Sequence, residues 1–141
     1  MNVFLPIKPE YAFAIFEGTK KYEFRKAGFG RDVKRIVVYA SSPYKKIIGY
    51  FEVKDVHKDN PKALWKRFKP FAGICKDDFF SYFDDKPTGV SIEVKRTISF
   101  SKHVEPKNIF SEFAIPQSFK YLTESEFESI KEATDASLVS F

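Results

Sequence analysis

The stretch that decides the fold is GTKKYEFRK, residues 18–26. After the glycine, two aromatic residues alternate with three charged ones, in the order Lys21, Tyr22, Glu23, Phe24 and Arg25. An alternation with period two predicts a β-strand, with the aromatic residues on one face and the charged residues on the other. Such a strand is half buried. Its charged face is either a solvated edge or the floor of a site for an anionic or polar ligand.

The segments on either side of this strand also carry clear signals. Upstream, a strand over Val3–Ile7 is followed by a helix that begins at Pro9, since proline suits the first helical position. Gly18 ends that helix in a left-handed conformation. Downstream, the β-forming residues of Arg35–Ala40 and Ile47–Asp55 predict two more strands.

The rest of the chain mixes helices with strand. Proline and acidic residues in first turns predict helices over Pro61–Phe68, after an Asn60 cap, and over Lys76–Phe83. Alternation predicts a strand over Gly89–Phe100. The C-terminal part is expected to contain a loop or short helix, a turn and a helix capped by Thr123, at Pro106–Phe113, Ile115–Phe119 and Ser125–Ala133 respectively.

These elements predict an α+β fold in which five to six mostly antiparallel strands form a small β-barrel with flanking helices. Many short strands and an aromatic content of 18%, with 17 Phe, fit a closed or nearly closed sheet filled by side chains. The length of 141 residues predicts a single domain over 1–141.

Composition excludes several classes of protein. No apolar run reaches the roughly 18 residues of a transmembrane helix, so no membrane association is expected. The first residues lack a basic region followed by an apolar one, so we expect no signal peptide and a cytoplasmic protein. With Cys75 as the one cysteine and only two histidines far apart, we expect no disulfide, no metal site and no cofactor.

Charge is distributed unevenly along the chain. Residues 1–50 carry ten Lys or Arg against four Asp or Glu, whereas residues 51–141 carry fourteen against fifteen, with an acidic stretch after Tyr121. A basic half joined to a near-neutral half indicates a polyanion on one face. The alternative is a lysine-rich surface that serves only solubility.

Four ordered motifs resemble the ASCH domain, the activating signal cointegrator homology domain of the PUA-like superfamily. They are Ile7-Lys8-Pro9, the G-x-K-x-x-E-x-R element of residues 18–25, YASSP at 39–43 and IGYFEV at 48–53. The resemblance covers a core of about residues 3–100. It implies a PUA-like barrel with a cleft that accepts nucleic acid or a modified nucleoside.

Residues 101–141 form a C-terminal extension with an acidic helix. Within it, the stretch of residues 115–121 resembles a subgroup of prokaryotic ASCH proteins described as predicted transcriptional regulators. The first hypothesis is therefore a module that binds RNA or another nucleic acid, with a regulatory role. Another hypothesis is a structural domain that contacts a protein partner through the acidic helix.

The same resemblance implies an enzymatic alternative. Some ASCH relatives are amidohydrolases that remove the acetyl group from acetylated cytidine with a Lys, a Thr and a Glu. The Lys falls on Lys20, the Thr position on Glu23, where a hydroxyl is missing, and the helix carboxylate on Asp77 or Asp78. Another relative is described as a ribonuclease. If the chain is a small hydrolase, Lys20, Glu23 and Asp78 are its expected catalytic residues.

Charged residues of the motifs are the first candidates for ligand binding. Lys8, Lys20, Arg25 and Lys26 are expected to contact phosphate, and Glu23 to read a base edge. The alternative for Glu23 is to hold Lys20 and Arg25 in place. For Arg25, orienting Glu23 is an equal alternative. For Lys20 the plain alternative is a solvent-facing lysine after a helix.

Aromatic and hydroxyl residues complete the candidate site. Tyr39 and Trp65 are candidate stacking platforms for a base, with burial in the core as the alternative. Ser41 and Ser42 offer hydroxyls or backbone amides to a ligand, or else cap a turn. Gln117 and Ser118 close the cleft on the C-terminal side, which is implied by the resemblance.

Overall fold

The computed structural model describes residues 1–135 and contains six strands and four α-helices. In chain order the elements are β1 (Asn2–Ile7), α1 (Pro9–Glu17), β2 (Tyr22–Arg25), β3 (Arg35–Ala40), β4 (Lys46–Asp59), α2 (Pro61–Phe68), α3 (Lys76–Phe83), β5 (Gly89–Val104), β6 (Lys120–Leu122) and α4 (Glu124–Asp135). Two short 3₁₀ turns, Lys69–Phe71 and Pro106–Asn108, lie between them. None of the helices in residues 1–135 is long and apolar enough to cross a bilayer.

The strands form one mixed sheet in the order β2-β5-β4-β3-β1-β6. The pair β1–β3 is parallel, and the other four ladders are antiparallel. The predicted α+β class is confirmed, but the closed barrel is not. Strands β2 and β6 lie at the two ends of the order, and no ladder joins them in the described residues.

A side chain links the two ends of the sheet where backbone pairing does not. Arg25, the last residue of β2, donates from Nη2 to the carbonyl oxygens of Pro6 in β1 and Ser118 just before β6, both at 3.2 Å. The guanidinium can reach two carbonyls at once because its donors form a rigid planar fork. One side chain thus bridges the gap that the backbone leaves open.

Alternation along the strands divides the interior into separate apolar clusters. On β3, Ile36 and Val38 join the cluster beneath α1, whereas Val37 and Tyr39 join the one beneath α4. A third cluster packs Phe24 of β2 against α2 and α3. The site described below is lined by residues of the first and third clusters.

The element boundaries agree with the sequence best in β3 and in the two middle helices. Helices α2 and α3 have the predicted bounds, and Asn60 caps α2 by accepting from the Ala63 amide at 2.9 Å. Strands β4 and β5 are longer than predicted and form a long antiparallel ladder with several β-bulges, although α2 and α3 lie between them in the chain. Strand β6 is not predicted from the sequence, because it has only three residues and no alternating pattern of its own.

Candidate functional site

A cavity of about 350 Å³ opens beside β2. Its walls come from the end of β1, the first turn of α1, strand β2 and helix α3. The residues that line it are Ile7, Lys8, Glu10, Tyr11, Lys20, Glu23, Phe24, Arg25, Ile74, Asp78, Phe79, Ser81 and Tyr82. The cavity thus brings together five predicted site residues, namely Lys8, Lys20, Glu23, Arg25 and Asp78, whereas Asp77 lies outside the lining.

Strand β2 brings Glu23 and Arg25 to the cavity, and Phe24 between them also contributes to its lining, so the two faces are not fully separated. The ring of Phe24 packs edge-on against Phe79, with ring centroids 4.9 Å apart. Glu23 lines the cavity and is only 5% exposed. Of the two interpretations that the sequence leaves open, the structure therefore shows a buried floor and not a solvated edge.

Lys20 is the most buried charged residue at this floor. Its side chain is 2% exposed, and its Nζ donates to the carbonyl oxygen of Ala72 at 2.6 Å. The Oε1 atom of Glu23 lies 4.0 Å from the same Nζ. Burial lowers the pKa of Lys20 because it penalises the ammonium, and the nearby Glu23 opposes that shift only in part.

The backbone after Ala72 is shaped to the stem of Lys20. Gly73 has a φ of +65°, in the left-handed region, and a Cβ at this residue would lie 2.4 Å from Cβ and Cγ of Lys20. Real Cβ atoms essentially never approach other atoms so closely. Glycine at this position therefore leaves the space that the buried lysine occupies.

Arg25 has the contacts of the second of its two predicted roles. Its Nη1 donates to Oε2 of Glu23 at 3.3 Å, and its Nη2 bonds the carbonyls described above. These contacts place the guanidinium beside the Glu23 carboxylate, and its role there stays a prediction. Lys26, by contrast, is exposed and lies at the rim, with its Nζ 5.0 Å from the centre of the Tyr82 ring.

Two tyrosines that are not predicted from the sequence also line the cavity. Burial raises the pKa of both Tyr11 and Tyr82, and Arg25 opposes the shift at Tyr82 in part. Both phenols therefore keep their protons at neutral pH and can donate hydrogen bonds. The only indication of these tyrosines in the sequence is that Tyr11 lies in the first predicted helix and Tyr82 in the third.

The predicted stacking platforms lie away from this cavity. Tyr39 is 6% exposed, and its ring centroid lies 5.4 Å from that of Phe4 in the cluster beneath α4. A ring buried in this way offers no face to a base, so the alternative of burial in the core holds for Tyr39. Trp65 packs against Phe79 at 5.1 Å in the third apolar cluster.

The predicted hydroxyl residues have mainly backbone contacts. The Ser41 amide donates to the Ile7 carbonyl at 2.9 Å, and the Ser41 carbonyl accepts from the Tyr44 amide at 3.1 Å, as in a turn. Ser42 is exposed, and neither serine lines the cavity. Ser118 contributes its carbonyl to Arg25, whereas Gln117 is exposed outside the lining.

Side chains suited to a metal ion do not cluster in the described part of the chain. No three His, Cys, Asp or Glu residues come together in a ligating arrangement within residues 1–135. The ionisable groups that line the cavity are lysines, an arginine, carboxylates and phenols.

Comparison with known proteins gives matches over most of the chain. The sequence model of the family described as "Domain of unknown function (DUF365)" matches residues 1–124. A protein named ASCH domain-containing ribonuclease from Zymomonas mobilis is 28% identical over 129 residues, which are 89% of this chain and 87% of that protein. The large ribosomal subunit protein uL22 of Ureaplasma parvum is 26% identical over 125 residues, which cover 86% of this chain but only 39% of that protein.

Solved structures agree with the fold. The crystal structure of ASCH from Zymomonas mobilis superposes with a TM-score of 0.87 at 24% identity, and the match covers 95% of this chain and 96% of that one. The N-terminal domain of Staphylothermus marinus McrB superposes with a TM-score of 0.57 at 15% identity over 92% of each chain.

Proposed function

Because this chain belongs to the family described as "Domain of unknown function (DUF365)" and is an ASCH domain protein, we propose that it binds single-stranded RNA and takes one nucleotide into the cavity at Lys20 and Glu23. The observation that carries the proposal is the buried pair of opposite charges at the floor of an open cavity. Charged side chains are seldom buried so fully, because they lose their hydration.

The size and the chemistry of the cavity support a nucleotide as ligand. Its volume of about 350 Å³ falls within the range of small-molecule pockets, roughly 300–1,000 Å³. Apolar walls from Ile7, Phe24 and Ile74 surround a few polar groups that fix orientation. Proteins that read RNA by sequence favour unstacked bases, which such a pocket can enclose.

Each polar group of the lining has a distinct role in this proposal. The Glu23 carboxylate, held in place by the neighbouring guanidinium, accepts from an amino group of the base. The protonated phenols of Tyr11 and Tyr82 donate to base or ribose oxygens. Lys8 and Lys26, both exposed at the rim, contact phosphate and supply affinity without sequence preference.

The test is fluorescence anisotropy with short labelled single-stranded RNAs at about 50 and 200 mM salt. Saturable binding is expected to weaken with salt, and the near-isosteric changes Lys20→Met and Glu23→Gln are expected to weaken it further. Lys34→Met is the matched control, because Lys34 is exposed, pairs with Asp32 and lies outside the cavity. Equal affinities of all four proteins, or no binding at micromolar protein, contradict the proposal.

A second candidate function is RNA cleavage, which the state of Lys20 favours. Because burial lowers the pKa of Lys20, a larger fraction of its amine is neutral than in an ordinary lysine at the same pH. The neutral amine can take the proton of a ribose 2′-hydroxyl. That oxygen then attacks the neighbouring phosphorus, and a protonated tyrosine of the lining gives its proton to the departing 5′ oxygen. The name of the Zymomonas mobilis relative, a ribonuclease, agrees with this chemistry.

Cleavage is tested by incubating labelled RNA with the wild type and Lys20→Met. Loss of cleavage at protein and RNA concentrations that saturate the weakened binding of Lys20→Met supports a catalytic Lys20, and a single 2′-deoxy substitution at the cleaved position is expected to block the reaction. Cleavage that persists in Lys20→Met rules out this role. Hydrolysis of acetylated cytidine has less support, since Glu23 stands where that motif has its hydroxyl.

A further inference from the structure

A second groove, of about 420 Å³, shares Lys20 with the cavity. It runs between the start of β2, the 3₁₀ turn before α3 and the middle of the β4–β5 ladder. The side chains that matter for its chemistry are Lys21, Lys54, Lys95, Arg96, Tyr22 and Phe71. None of these six is among the ligand-binding residues predicted from the sequence.

Two β-bulges bring its lysines to one place. Glu52 pairs with Arg96, Val53 with Val94 and Asp55 with Glu93, so Lys95 and Lys54 are extra residues on facing strands. A β-bulge inserts one extra residue into a strand, which interrupts the alternation of side chains and changes the direction of the inserted side chain. As a result five consecutive residues of β5, residues 93–97, line one groove, which a regular strand would not allow.

Cations outnumber carboxylates in the lining of the groove. Lys54 and Arg96 have side chains 64% and 66% exposed, and Lys21 and Lys95 are exposed as well. Among the described residues of the lining, Glu93 is the one carboxylate, and its oxygens lie 2.9 Å from His57 Nε2 and 3.5 Å from the Lys54 Nζ. Outside the lining, Glu52 holds Arg96 in an ion pair at 2.9 Å, so the excess positive charge of the groove comes mainly from its lysines. Such a surface attracts a polyanion.

One aromatic ring stands at the edge of these cations. Phe71 is 45% exposed, although most large apolar side chains of this fold are buried. The Nζ of Lys21 lies 4.2 Å from the centre of the Phe71 ring, and the Phe71 carbonyl accepts from the Lys21 amide at 2.9 Å. Aromatic rings interleaved with cations are the surface on which single-stranded nucleic acids stack their bases.

We propose that this groove holds the phosphate backbone of single-stranded RNA next to the nucleotide in the cavity, with Phe71 stacking a neighbouring base. The inference rests on the proposed function and names the path of its ligand. The two sites are joined by one short segment, because Phe71 lies in the groove and the adjacent Ala72 carbonyl holds Lys20 in the cavity. Bound RNA therefore has a continuous path from phosphate track to pocket.

The experiment compares an RNA of about twelve nucleotides with a single nucleoside monophosphate as ligands. Each phosphate contact with a single strand contributes about 0.7 to the slope of log affinity against log salt. The double charge reversal Lys54→Glu/Lys95→Glu is therefore expected to lower RNA affinity by about tenfold or more and to flatten that slope by about 1.4. Phe71→Ala is expected to cost roughly 5- to 150-fold.

The control is Lys34→Glu/Lys107→Glu, which changes the net charge equally at two exposed lysines outside the groove. It is expected to leave RNA affinity close to that of the wild type, and none of the groove variants is expected to change binding of the monophosphate. If the groove variants match this control while Lys20→Met loses RNA binding, the groove proposal is wrong and the proposed function stands. If the wild type binds no RNA, the groove proposal and the proposed function both fail. If polyglutamate competes as well as RNA for the groove, the assignment of RNA as its ligand is wrong.

Discussion

Replacing Gly73 with alanine tests the fit between the backbone and the buried lysine. The residue has a φ of +65°, and the new Cβ would lie 2.4 Å from Cβ and Cγ of Lys20 and 2.8 Å from its Cδ. We expect Gly73→Ala to destabilise the fold and to displace the lysine from the Ala72 carbonyl.

The magnitude follows from two separate costs. An L-residue in the left-handed region costs about 1–2 kcal/mol. Loss of the 2.6 Å bond from Lys20 to Ala72, a bond with a charged donor, adds about 1.5–3 kcal/mol. The free energy of unfolding is thus expected to fall by about 2.5–5 kcal/mol in total.

Gly18→Ala is the matched control for this substitution. Gly18 also has a positive φ, +87°, but a Cβ at this residue would meet no other part of the described chain within 4 Å, so only the backbone cost of about 1–2 kcal/mol applies. Urea unfolding of both variants measures the difference. A Gly73→Ala variant no less stable than Gly18→Ala would refute the packing argument.

Three further predictions concern the site and its surroundings. The pKa of Lys20 is lower in the folded state than its usual 10.5, so between the folded and the unfolded pKa the unfolded chain binds more protons. The free energy of unfolding should therefore rise with pH in that window. Lys20→Met should reduce this rise in urea titrations at several pH values. Arg25→Met should lower stability by about 3–5 kcal/mol, because it leaves Glu23 buried without its closest cation, and a loss below about 1 kcal/mol by urea unfolding would contradict this role. Tyr39→Phe should leave RNA affinity unchanged in anisotropy titrations, since the ring is buried away from the cavity, and a clear loss would show that its hydroxyl matters.

The sequence predicts much of the fold because its local signals agree. Prolines at first helical positions, the Asn60 cap and the alternation of β2 each identify an element that the structure contains. These local signals do not distinguish an open sheet from a closed barrel. That difference depends on which strands pair at a distance, and the link by Arg25 between the sheet ends leaves no periodic trace.

The candidate site was predicted in part, for similar reasons. The motif placed Lys20, Glu23 and Arg25 together, but alternation alone does not distinguish a charged face in water from one buried under α1 and α3. The alternation of β3, by contrast, predicts that Tyr39 and Val38 lie on opposite faces of the sheet, and so that Tyr39 is not in the first cluster.

The groove was not predicted at all because its residues follow no regular pattern. Lys54 and Lys95 are brought together by bulges, which depend on the pairing of two distant strands. Phe71 lies in a three-residue 3₁₀ turn, too short for any periodicity to mark it. Features of this kind become visible only when the pairing of the chain is known.

The central claim, that a nucleotide of single-stranded RNA enters the cavity at Lys20 and Glu23, is tested most directly by photocrosslinking. RNA carrying one photoreactive thiouridine is irradiated with the wild-type protein, and the crosslinked residue is identified by mass spectrometry. The account predicts crosslinks at Tyr11 or Tyr82 that are lost in the Glu23→Gln variant. Crosslinks confined to α4, on the opposite face of the sheet, would contradict it.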